Sequence, residues 1–173
     1  MGDSVITIVA IVLAAILMFM FPLMTMSDRT DDISQLAVET AVSDYVDNIR
    51  TTGKLTLDNY DKLVQTISAT GNSYEVELEV KLLDENPGKK TSQVKSDKIG
   101  ENVYYSVYTS QILDNLDENG TMTLKEGAMI SVKVKNTNTT IGQQLKNFMF
   151  TVAGNDTYTI AAESAGIVTT NGR

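Results

Sequence analysis

The sequence predicts an α+β protein in which a long N-terminal helix, apolar and then amphipathic, carries a small head of antiparallel strands and short helices. Three observations lead there. The run Ser4–Met26 (SVITIVAIVLAAILMFMFPLMTM) holds no charged residue. Helical spacing then continues from Asp28 to Arg50, with no Gly or Pro until Gly53. Further on, Tyr74, Val76, Leu78, Val80 and Leu82 alternate with Glu75, Glu77, Glu79 and Lys81, the two-residue period of a half-buried strand. The expected division is a transmembrane helix over 1–27, a helical stalk over 28–53 and an α+β head over 54–173.

The apolar run is long enough to span. At 1.5 Å per residue it reaches about 35 Å, against a bilayer core of about 30 Å. A secretory signal begins with basic residues, has an apolar core of about 7–15 residues and ends in a small-x-small site. Here no Lys or Arg precedes the run, which is longer and ends in bulky Phe19, Met20, Phe21, Leu23 and Met24. A helix apolar on all sides would need a far larger soluble core than this chain can build. A retained single span is therefore expected. Pro22, inside it, removes one helical hydrogen bond and is expected to kink the axis and tilt the chain beyond it, as spanning helices tolerate. Arg29 is the only basic flank, among Asp28, Asp31 and Asp32, and acids carry little weight in setting topology. The head is placed outside the cell on other grounds: no Cys, no His and many Thr and Asn.

With 173 residues there is room for the span and one domain with a real core. A net charge of -8 and a pI near 4.5 argue against nucleic acid bound through a basic surface, and against docking on anionic lipid. Zero Cys removes disulfides and cysteine metal sites, and zero His removes the commonest general base and metal ligand. No nucleophile motif stands in their place. Neither an enzyme nor a cofactor is expected.

Along the stalk, Ile33, Leu36, Thr40, Ala41, Tyr45 and Ile49 recur at helical spacing, opposite Asp31, Gln35, Glu39, Ser43 and Asp47. The span is expected to run on into this helix as one rod of about 70 Å; the alternative is a break at Ser27-Asp28, with Ser27 as a cap. Gly53 should end the rod. Thr56 should cap a helix with Leu57, Tyr60, Leu63, Val64 and Ile67 on one face, stopped by Gly71-Asn72. The glutamates of the 74–82 strand read as a solvated face. Residues 84–100 read as an exposed loop. Its Lys89, Lys90, Lys95 and Lys98 form the basic cluster of an acidic chain, solvated in an isolated molecule and a candidate subunit contact if identical copies pack side by side. Tyr104-Tyr105-Ser106-Val107-Tyr108 fits the start of a strand, but a helix with Tyr105, Tyr108, Ile112 and Leu116 on one face is favoured, its aromatic cluster in the core. Ala128, Ile130, Val132 and Val134 predict a second strand. Thr140 should cap a short helix through Phe150 with Ile141, Leu145, Phe148 and Met149 inward, and a last strand should run from Thr157 to about Thr169.

This layout resembles the bacterial type IV pilin-like subunits, and more narrowly the small TadE-like single-span proteins of tight-adherence pili or conjugation machinery. The likeness covers the whole chain in layout and rests on an acid near the N-terminus (Asp3), an apolar helix with a proline (Pro22), an amphipathic continuation and a small α+β head. Pilin precursors carry a short basic leader ending in Gly, whereas only Met1-Gly2 precede Asp3 here, so the resemblance does not imply cleavage after Gly2. It does imply apolar half-helices packed in a filament core, or in membrane lipid before assembly. In such a bundle Asp3 would pair with the N-terminal amine of a neighbouring copy; outside one it would sit in the headgroup layer. The implied function is a membrane-anchored structural subunit of a surface pilus-like, secretion or conjugation assembly, with related subunits and an assembly machine as partners. The alternative is a membrane-tethered extracellular binding domain that works as a monomer.

Overall fold

The computed structural model describes residues 2–85, 103–145, 147 and 159–172. In chain order the elements are α1 (Gly2–Thr52), β1 (Lys54–Thr56), α2 (Leu57–Ser68), β2 (Tyr74–Leu83), β3 (Tyr104–Tyr108), α3 (Thr109–Asn119), β4 (Thr121–Thr123), β5 (Met129–Asn136) and β6 (Ala161–Ile167). The fold is α+β, with a long apolar helix leading into antiparallel sheets and short helices.

α1 is continuous through Pro22 and through Ser27-Asp28, so the rod has no break between its apolar and amphipathic halves. Residues Asp3–Phe19 are exposed throughout. The distal half is the spine of the head: Val38, Val42, Tyr45, Val46 and Ile49 are buried. Gly53 ends the helix at φ +65, its N–H bonded to Ile49 O at 2.8 Å. Thr56 Oγ1 accepts the Asn59 N–H at 3.3 Å and so caps α2, which buries Leu63 and Ile67 against the same core.

The main sheet has the order β3-β2-β5-β6, all pairs antiparallel. Leu78 stands opposite Val132, and Val80 opposite Ile130. Together with Val134 these side chains form the inner face that packs on the helices. β6 lies directly against α1, which explains its run of small residues: a Cβ on Gly166 would overlap the Arg50 side chain. Gln35 on α1 also bonds the edge of β6, accepting the Ala161 N–H at 3.1 Å and donating to Ala161 O at 2.7 Å. An edge strand otherwise open to pairing is covered at that residue.

Four expectations are corrected. First, the buried face of α1 is rotated from the one the spacing suggested. Ile33, Leu36 and Thr40 point away from the head, while Asp31 and Ser34, both polar, are buried. The head covers the series 31, 34, 38, 42, 45, 49 because its valines fit the sheet and Asp31 finds Thr140 there, while the Ser34 hydroxyl donates back to Thr30 O at 2.9 Å.

Second, Tyr104–Tyr108 is a strand, and the helix starts only at Thr109. Thr109 Oγ1 accepts the Leu78 N–H at 2.8 Å and donates to Leu78 O at 3.3 Å. That side chain satisfies the last ladder position and frees the backbone to turn. Tyr104, Tyr105 and Tyr108 consequently lie on an edge strand and are exposed rather than in the core.

Third, Ile141 is not inward, being 71% exposed; Phe148 and Met149 lie outside the described residues. Fourth, the last strand is shorter than expected, Ala161–Ile167, and Thr157 lies outside the described residues. The small β1–β4 ribbon had no signal, since three residues are too few to show a period.

Candidate functional site

The features with functional content lie along α1. Asp3 is in its first turn, where the positive end of the helix dipole favours an acid. Its carbonyl accepts Thr7 Oγ1 at 2.8 Å, and no ion pair reaches it among the described residues. Pro22 is exposed inside the helix. Neither is brought near the head's core. Lys89, Lys90, Lys95 and Lys98, the candidate subunit contact, lie outside the described residues.

Just past the apolar run, α1 and the segment after β5 form a polar knot. Asp31 is 3% exposed, and its Oδ2 accepts Thr140 Oγ1 at 2.9 Å. Thr140 and Gln143 cap each other: the Gln143 N–H donates to Thr140 Oγ1 at 3.1 Å, and the Thr140 N–H to Gln143 Oε1 at 3.0 Å. This capping box starts a helical turn at 141–145. Gly142 makes the approach possible, because a Cβ there would lie 2.6 Å from Asp31 Oδ2 and 3.1 Å from Ser27 Cβ. Thr140 was legible in the sequence as a helix cap. The burial of Asp31 was not, since its partner lies 109 residues away.

A groove of about 230 Å³ runs between α1 and α2, lined among others by Asp44, Tyr45, Asn48, Asn59 and Lys62. The Tyr45 hydroxyl is buried and has no hydrogen-bond partner among the described residues. Burial keeps the proton on this phenol and raises its pKa well above the ordinary range, and neighbouring Tyr60 adds to the shift. Tyr60 is itself raised, by burial and then by Asp61. Asn59 Nδ2 donates to Asn48 Oδ1 at 3.0 Å across the groove.

The outer sheet face carries alternating charge. Glu77 pairs in register with Lys133, and Lys133 with Glu163; the Lys133–Glu163 ion pair spans 3.7 Å between exposed groups. Such pairs stabilise little, and the glutamates behave as a solvated face. Among the described residues no group of three or more acids is placed to hold a metal ion.

The class these features define is an α+β head built on the distal half of one long helix, whose proximal half is exposed and is long and apolar enough to cross a membrane. No family model, curated protein or solved structure matches the chain.

Proposed function

We propose that the protein is a membrane-anchored structural subunit of a surface assembly of the pilus-like, secretion or conjugation kind, with its head outside the cell and no catalytic activity. The observation that carries this reading is the outer face of α1. Ile33 is 70% and Leu36 65% exposed, on the side of the helix turned away from the head and beyond the exposed charges Arg29 and Asp32. Complete burial of such a side chain is worth about 1.5–3 kcal/mol, a gain that a monomer forgoes and a neighbouring helix would supply. Asp3 fits the same reading, since a charge at the edge of packed apolar helices requires a cation, which an adjacent copy would supply.

The test is cross-linking and electron microscopy of full-length protein at matched expression. The double variant Ile33→Glu/Leu36→Glu should keep a folded head, because both residues are outside the core, and should lose oligomers or filaments. Asp3→Asn should reduce them as well while leaving head unfolding unchanged. If parent and variants alike remain monomers in the membrane, the assembly reading fails and the tethered binding domain takes its place.

A further inference from the structure

We propose that the turn at 140–145 is a foot by which the head rests on the lipid surface, with Ile141 set into the headgroup boundary of a phospholipid bilayer; this rests on the reading of Ser4–Met26 as a membrane span.

The height of this turn on α1 is set by contact. Gly142 lies against Ser27 and Asp31, and Thr140 is hydrogen-bonded to Asp31 at 2.9 Å. Ser27 directly succeeds the last residue of the uncharged run. If Ser4 marks one edge of the hydrocarbon, Ser27 stands about 35 Å further along the helix, just beyond a core of about 30 Å and within the headgroup layer. The foot is therefore pinned at the membrane surface by a buried acid, a capping box and a glycine.

Two further observations say what faces the foot. Ile141 is 71% exposed although large and apolar, and at this height the medium beside it is the bilayer boundary, where apolar side chains are stabilised. Met20 and Met24 are half-buried, whereas Asp3–Phe19 are exposed. They share the α1 face of Ser27 and Asp31. The attraction is apolar, as it must be for a chain of net charge -8.

The absence of Cys makes the test clean. Full-length protein with the single substitution Ile141→Cys, carrying a polarity-sensitive fluorophore, is reconstituted into phosphatidylcholine vesicles with and without lipid spin-labelled near the headgroup. Met26→Cys reports the end of the span. Glu118→Cys reports the far end of the head, since α3 closes there on Leu57 through a 3.1 Å bond from the Leu57 N–H to Gly120 O. The label at 141 should show a blue-shifted emission and a loss of fluorescence to spin-labelled lipid matching that at 26, with no loss at 118. Loss at 26 but not at 141 overturns the foot and leaves the span standing. So does protection of 141 from aqueous iodide without quenching by lipid, which would mean that protein covers it. No loss at 26 removes the span, and the foot with it.

Discussion

Gly53 joins the helix, the β1–β4 ribbon and the C-terminal tail, and its replacement by Ala should be costly for two separable reasons. Its φ is +65, and holding an L-residue in that left-handed conformation costs about 1–2 kcal/mol. In addition, the new Cβ would overlap the backbone of Thr170 and Gly172, which cannot rotate away as a side chain could. The tail must move, and it is held by Thr169 N–H to Arg50 O at 2.9 Å and Gly172 N–H to Leu124 O at 2.9 Å. Losing both costs about 2 kcal/mol at roughly 1 each. The sum is about 3–4 kcal/mol, or on the order of 10 °C in Tm for a chain of this size. Gly71 is the control: φ is +83, but nothing lies within 4 Å of its added Cβ. Gly71→Ala should cost the conformational part alone, about 1–2 kcal/mol. Thermal unfolding of full-length protein in detergent, monitored by near-ultraviolet circular dichroism of the tyrosines, measures both. Equal losses at the two glycines would refute the claim that the tail presses on Gly53.

Leu78→Asp buries an unpaired carboxylate at a core position opposite Val132 and should destabilise the head by several kcal/mol, of order 3–5, whereas Glu77→Ala on the solvated face should stay within about 0.5 kcal/mol in denaturant titrations. Asp31→Ala should cost about 1–3 kcal/mol by the loss of one buried hydrogen bond, Thr140→Val should cost more because it also removes the cap on the Gln143 N–H, and the double variant should cost little more than Thr140→Val alone, as a double-mutant cycle would show. Tyr45→Phe removes a buried hydroxyl without a partner among the described residues and should be neutral or stabilising by about 1 kcal/mol near pH 7. The folded phenol holds its proton more tightly than the unfolded one. Its contribution is therefore complete below the ordinary tyrosine pKa of about 10 and is lost as pH rises beyond it, so Tyr45→Phe should show a smaller alkaline loss of stability than the parent.

The elements visible in the sequence are those whose cause is local. An uncharged run of 23 residues, Ser4–Met26, needs no partner to announce a helix of membrane length. Gly53 and Thr56 mark helix ends through their own backbone and side-chain preferences. The alternation in β2 reflects a sheet buried on one face, and its pairing with β5 reflects the matching alternation there. What the tertiary structure decided depends on groups far apart in the chain. Periodicity established that the stalk is amphipathic, but 31-34-38-42 became the buried face only because Thr140 answers Asp31 and the small residues of β6 admit α1. Tyr104–Tyr108 carries a pattern that suits helix and strand alike, and the choice fell to β2, whose open edge it pairs, and to Thr109, which closes the ladder. Ile33, Leu36 and Ile141 look like core residues by composition. They are exposed while the core is filled from other elements, and the proposed contacts with a neighbouring subunit and with lipid rest on that excess of apolar surface on α1 and at its foot.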